Sequence, residues 1–314
     1  MRGANTQKVV LFEVGEDVLD RVAKSLNYPS VKALKIDVLV LKEWMKTQPY
    51  LPEIMADKMI ENFLILNKGS IELTKEKIDM YYTVRSLLPE VFDESNPKLP
   101  EMKKILDAIH VVALPKLTKE MYRVSFSKIR NTDLLEKTDF NKVIAHLVNC
   151  QEIRLSEDVA FGDIFILDAA GLSFNVMLKF TPSILYKTLI LIYERLFSMR
   201  LKAVYVFNAP PFVEKIVTMV KGFIKPKMFD RIHIYADSSF LLKCFEKEQI
   251  PTDYGGEEKS LCELQELGKL KRAEYQERFD KLDKLRVNEK LRPEKLKNDE
   301  NLGFYGNFKR LEID

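Results

Sequence analysis

Asp163-Ile-Phe-Ile-Leu-Asp168, Leu201-Lys-Ala-Val-Tyr-Val-Phe207 and Arg231-Ile-His-Ile-Tyr-Ala236 decide how this chain folds. Each is a short β-type run, and residues 182–197 and 211–229 between them carry apolar side chains at helical spacing. Strand, helix, strand, helix, strand at repeats of roughly thirty residues is the pattern of βαβ units in a parallel sheet. The first run has no polar residue between its two aspartates, which predicts a strand covered on both faces.

The two crossover helices differ. Residues 182–197 are apolar most of the way around, with Lys187, Glu194 and Arg195 marking the polar side, so this helix is predicted to be buried. Residues 211–229 place Phe212, Ile216, Val220 and Phe223 at helical spacing, flanked by Val213, Val217, Met219 and Ile224. Glu214, Lys215, Thr218 and Lys221 take the opposite side, making an amphipathic helix with a wide apolar face. Periodicity alone reads it as an ordinary crossover helix on its sheet.

Four words occur in order along and after these elements: Phe180-Thr-Pro-Ser183, Val206-Phe-Asn-Ala-Pro-Pro-Phe212, Lys227-Met-Phe-Asp-Arg-Ile-His233 and Ile250-Pro-Thr-Asp-Tyr-Gly-Gly256. Together they closely resemble the CRAL-TRIO lipid-binding family, in its branch of tocopherol-transfer and retinaldehyde-binding proteins. Pro115-Lys-Leu-Thr118 followed by Tyr122-Arg-Val124 extends the match upstream. The resemblance implies an α/β fold. An N-terminal all-helical module (1–100) would precede a CRAL-TRIO domain (101–256), whose mainly parallel sheet is flanked by helices and a mobile lid helix. A charged C-terminal helical segment and tail (257–314) would follow. A lipid would lie between the lid and the sheet.

The rest of the chain fits around that centre. Residues 16–26, 31–47, 53–66 and 74–87 read as helices, and Trp44 beside Leu41 is predicted to be core. Where the family commonly has a basic residue soon after Phe-Leu, this chain reads Phe63-Leu-Ile-Leu-Asn67, so no cation is expected there. Val111-Val-Ala-Leu114 and Tyr122-Arg-Val-Ser-Phe126 are β-type runs. Residues 139–150 form a helix with Phe140, Val143, Ile144, Leu147 and Val148 inward, which leaves His146 on the surface. Residues 257–292 are charge-dense with small apolar stripes, and predict a solvated helical segment clasping the domain. Residues 301–314 resemble the C-termini of insect tocopherol-transfer-like members and predict a specific structural element.

Composition narrows the class. With 314 residues, 46% hydrophobic and 31% charged, the chain has material for one or two domains with a substantial core. Val9-Val-Leu-Phe12 followed by Glu13 is too short for a signal peptide, and no apolar run reaches the ~20 residues of a membrane span. Cys150, Cys244 and Cys262 have no metal or redox spacing. The expectation is a cytoplasmic monomer with reduced thiols and peripheral membrane association. A net charge of +3 and the lack of a recognition motif argue against nucleic acid.

No catalytic constellation is visible. His110, His146 and His233 form no zinc spacing, and no Gly-x-Ser-x-Gly elbow or phosphate-cradling Gly-rich loop occurs. Asp168 ends a parallel strand, where α/β enzymes often place carboxylates, but in Asp168-Ala-Ala-Gly171 it suits a turn cap. Neither enzymatic activity nor a cofactor is expected.

The first reading is an intracellular carrier of a small hydrophobic lipid of tocopherol, retinoid, carotenoid or terpenoid type. Its pocket would draw on Phe165, Leu167, Leu189, Ile192, Val204, Val206, Phe212, Ile216, Met219, Val220 and Phe223. At ~25 cal/mol per Å², burying about 400 Å² of ligand supplies on the order of 10 kcal/mol before association costs. Two alternatives stay open. A CRAL-TRIO interaction or signalling module without transfer activity would fill the space under the lid with large side chains. A phospholipid (phosphoinositide) transfer protein would need cationic or polar groups in the pocket.

The membrane expectation rests on Arg200, Lys202, Lys225, Lys227 and Arg231, which flank the second and third strands and would meet at one sheet edge beside the lid. At about 1 kcal/mol each near an anionic surface, they support reversible docking. The resemblance implies more: Arg200, Lys202, Lys227 and Arg231 match a basic cluster that binds phosphoinositide headgroups in tocopherol-transfer proteins.

Overall fold

A computed structural model describes residues 9–293. Helices Val18–Ser25, Val31–Lys46, Asp57–Leu66 and Ile71–Leu87 come first. Ser30 and Ser70 cap the second and fourth, their side chains accepting from the amides of Ala33 and Leu73 at 3.3 Å. Five strands follow: β1 (Ile109–Leu117), β2 (Tyr122–Ile129), β3 (Gly162–Asp168), β4 (Leu201–Phe207) and β5 (Ile232–Tyr235). They form one sheet in chain order, with β1 antiparallel to β2 and all other neighbours parallel. This is the α/β fold expected, a helical module followed by a mainly parallel sheet flanked by helices. The tail at 301–314 lies outside the described residues.

Chain-order strands joined by right-handed crossovers must place all their connecting helices on the same face of the sheet. Side chains then divide by parity. Val124, Phe126, Ile164, Ile166, Ala203 and Phe207 pack against Phe240, Leu241, Ile250 and Leu261 on the opposite face. Phe165, Leu167, Val204 and Val206 point toward the crossover helices. A register shift between β3 and β4 steps the pairing from Asp163↔Leu201 to Ile164↔Ala203. This irregularity puts Leu201 on the helix side although Ala203, two residues on, faces away.

The helical module shares its core with the sheet domain. Ile60, Phe63, Ile78 and Tyr81 belong to one buried cluster with Ile144, Val148, Ile192 and Leu196. Trp44 packs partly buried against it.

Three expectations need correction. Residues 182–197 are not one α-helix: Pro182–Tyr186 is α-helical, and Lys187–Leu196 is wound as a π-helix. At its end the Phe197 amide donates to the Ile192 carbonyl, five residues back, at 3.0 Å. Next, the segment after 256 is only partly solvated. Helix Leu261–Glu274 packs along β1 and buries Leu261, Leu264, Gln265, Gly268, Lys271 and Arg272. Polar residues hid that inward face from a hydrophobicity reading. Third, His146 is 2% exposed rather than on the surface.

Ile250–Gly256 is a turn, and its two glycines do different jobs. Gly255 adopts φ +80°, whereas a Cβ on Gly256 would stand 1.8 Å from the Ile250 carbonyl oxygen. The Tyr254 hydroxyl within this turn donates to Asp168 at 2.7 Å.

Candidate functional site

Between the sheet and its crossover helices lies a cavity of about 640 Å³, inside the ~300–1,000 Å³ range of small-molecule sites. Phe165, Leu167, Val204 and Val206 form its floor. Val217, Val220, Phe223 and Ile224, from helix Val213–Lys221 and the turn after it, form its roof. Phe212 and Phe223 touch Phe174 and Tyr186 across the roof's edges, with ring centres 5.9 and 6.5 Å apart.

Seven of the eleven residues expected in the pocket line this cavity: Phe165, Leu167, Leu189, Val204, Val206, Val220 and Phe223. Ile192, Phe212, Ile216 and Met219 do not. Ile192 follows Leu185 and Leu189 along an α-helical stripe, but the wider π-helical turn brings Tyr193 to that face instead. Tyr193 stacks on Phe165 with ring centres 5.7 Å apart, and Ile192 turns into the helical module. The roof helix has two adjoining apolar stripes, 212/216/219/223 and 213/217/220/224. Docking turns Val217, Val220 and Ile224 of the second stripe inward together with Phe223 of the first, so Ile216 and Met219 lie to the side.

Periodicity missed the polar end of the cavity. Cys150, Gln151 and Arg154 reach it from helix Phe140–Glu157, and Gln265, Gly268 and Arg272 from helix Leu261–Glu274. Asp158 accepts both ends of the Arg123 guanidinium fork at 2.6 and 2.9 Å, and Arg154 pairs with Asp163 at 2.6 Å. Burial works to raise the Asp158 carboxyl, but Arg123, Arg154 and the Val159 amide together outweigh it and hold the group below the usual carboxylate range. At Asp163 burial outweighs Arg154 and pushes the carboxyl up. Burial also pushes the Cys150 thiol up.

His146, beside Cys150, is lowered to about 3 by burial, with Arg272 repelling its charged form. The unfolded histidine takes up a proton near pH ~6.5 and the folded one does not. Stability should therefore fall as pH drops below ~6.5, by roughly 2 kcal/mol at pH 5 from this group alone. Urea unfolding at pH 7 and pH 5 checks this. His146→Gln should lose less on acidification than wild type, and an equal loss would remove His146 as the cause.

Asp168 is committed to structure. It accepts from the Ala170 amide at 3.0 Å, the Asn208 side-chain amide at 2.9 Å and Tyr254. His233 is exposed and stacks on Tyr205. The expected cations divide into two sets. The Arg231 guanidinium donates to the Leu201 carbonyl, and Arg200 lies 4.0 Å over the Phe161 ring. Lys202, Lys225 and Lys227 are exposed. Lys77 was not anticipated: it donates to the Glu194 carbonyl at 2.7 Å, and burial and Arg195 lower its ammonium against the opposing pull of Glu194 and Glu76, with Lys225 adding a weaker push.

Residues 106–256 match the family model of the CRAL/TRIO domain, and residues 31–102 match that of the Pinta-like UBA domain. Alpha-tocopherol transfer protein-like of Mus musculus is 24% identical over 244 residues, covering 77% of this chain and 70% of that protein. Clavesin-1 of Rattus norvegicus is 23% identical over 254 residues, covering 76% and 68%. The solved structure of Sfh5 aligns with a TM-score of 0.43 at 12% identity, over 81% of this chain and 92% of that one. Residues 106–256, with their sheet roofed by a crossover helix, are a domain of the CRAL-TRIO family.

Proposed function

We propose that this protein is an intracellular carrier that holds one small hydrophobic lipid in the cavity and exchanges it at anionic membranes. The observation that carries this reading is the cavity itself. Protein interiors are close-packed with few voids larger than a water molecule, so about 640 Å³ of largely apolar space supports a ligand. An interaction module would be expected to fill that space with side chains. The names of its relatives, alpha-tocopherol transfer protein-like among them, support a lipid of similar size and polarity. The use of Asp168 in hydrogen bonds that tie strand ends together supports a carrier over a catalyst. Mass spectrometry of lipid extracted from the purified protein should find about one equivalent of a hydrophobic ligand. If no hydrophobic ligand co-purifies or protects against unfolding, the reading fails.

Exchange requires the roof to move. Within Val213–Lys221 only Val213 is buried, because the other inward side chains face the cavity rather than a packed core. Elements with few buried apolar contacts are the ones that open locally. Lys225 and Lys227 stand exposed at the end of this roof; Lys202 is exposed but lies over the Tyr122 ring, and Arg200 and Arg231 have local contacts of their own. The docking contribution is therefore assigned mainly to the lysines, with phosphoinositide headgroups as candidate partners. Reversing Lys202 and Lys227 to Glu should slow transfer to anionic vesicles severalfold and weaken its salt dependence. Transfer at the wild-type rate at two ionic strengths would rule the cluster out.

A further inference from the structure

Two arginines line the cavity, and their surroundings differ. Arg154 is matched by Asp158 and Asp163. Arg272 is 7% exposed, and no carboxylate among the described residues forms an ion pair with it. Its Nη1 stands 3.9 Å from the Cys150 sulfur, and its Nη2 has no hydrogen-bond partner. Lys271, next to it in the chain, shows the usual solution, with Glu157 at 3.1 Å and Glu274 at 2.8 Å. Among the described residues nothing beside Arg272 supplies negative charge, since burial keeps Cys150 a thiol and His146 neutral. A buried cation without a counter-charge is strongly unfavourable, so a site of this kind is completed by something that enters it.

We propose that the cavity is built for an amphiphile with a single carboxylate, a long-chain or isoprenoid acid whose head pairs with Arg272. This rests on the carrier reading and names its class of cargo. Helix Leu261–Glu274 lies along β1, at the opposite edge of the sheet from the roof helix that joins β4 to β5. The acid head would therefore sit at the β1 side and the apolar chain would run across Phe165 and Val204 toward the roof. Gly268 adjoins the guanidinium: a Cβ there would stand in van der Waals contact with the Arg272 Nη1, at 3.4 Å. One guanidinium edge matches the two oxygens of a carboxylate in a forked pair. A phosphate would bring further charge and a further oxygen, with Arg154 already taken. A neutral alcohol would leave the Arg272 charge unmatched.

The test compares a conjugated polyene fatty acid, which fluoresces on leaving water, with its methyl ester in direct titrations of the full chain. Wild type should prefer the acid by about ten- to a hundredfold. Arg272→Leu and Arg272→Gln should bring the ratio of the two affinities to about one, and Arg272→Lys should keep most of the preference. Equal binding of acid and ester by wild type overturns the inference while leaving the carrier reading intact, and needs no variant to fold. A preference that survives in Arg272→Leu also overturns it. If neither amphiphile binds, the carrier reading fails and this inference with it.

Discussion

Replacing Glu152 with Ala is expected to destabilise the protein by about 3–5 kcal/mol, the largest single-site loss foreseen. Glu152 is 0% exposed, on a helix that lines the cavity, and ties its own helix to two other parts of the chain. The Tyr81 hydroxyl donates to its carboxylate at 2.6–2.7 Å, Arg85 from the same helix at 3.1 Å, and Arg278 from Gln276–Leu282 at 3.0 Å. Arg278 keeps a second partner in Glu53 at 2.6 Å. Arg85 would be left as a buried cation with only the rings of Tyr81 and Phe92, 4.6 and 4.9 Å away. Such a loss falls on the remaining charge rather than on the missing contact, which makes it large. Guanidinium unfolding measures it directly. Because the network joins the helical module, the sheet domain and the C-terminal helices, wild type should unfold in one transition. A loss below about 1 kcal/mol would show that Arg85 finds water or another partner.

A second large effect is expected at the roof. Val220→Asp should weaken uptake of a hydrophobic ligand by more than about a hundredfold. Val220 faces the cavity from a helix with little buried surface of its own, so the fold should tolerate the change while the site does not. A bound apolar chain would strip water from the new carboxylate, at a cost of several kcal/mol. Thr218→Asp, on the exposed outer face of the same helix, is the control and should bind as wild type does. The contrast is read by ligand titration with thermal unfolding run in parallel. Equal losses in both variants would mean that helix stability, not the cavity, sets affinity.

The same roof shows how far the residues could be read alone. Alternation and apolar runs placed all five strands, because a strand's pattern is local and repeats every two residues. The helical module was legible for the same reason, its apolar spacing and turn residues marking each helix. Strand parity also located Phe165, Leu167, Val204 and Val206 on one face, since successive residues of a strand must point to opposite sides.

Which face of a helix turns inward is a different question. Residues 211–229 carry two neighbouring apolar stripes, and the bulkier one, 212/216/219/223, is not the one turned inward: of its members only Phe223 reaches the cavity, beside Val217, Val220 and Ile224. The choice came from docking over β4 and β5. Likewise an α-helical period put Ile192 beside Leu189. The observed π-helical winding exchanges it for Tyr193, a change of register that side-chain identity does not encode.

What the amino-acid sequence determined by itself was the order of elements, the parallel sheet, the family resemblance and the cations flanking β4 and β5. Only the tertiary structure decided that Arg272 belongs to the cavity, that Arg200 and Arg231 are engaged locally, and that Glu152 ties its own helix to two other parts of the chain. The physical reason is one of range. Hydrophobic periodicity records whether a residue lies at a surface or an interior of its own element. The partner of a buried charge is chosen across the whole fold, from residues such as Cys150 and Arg272 that no spacing rule connects.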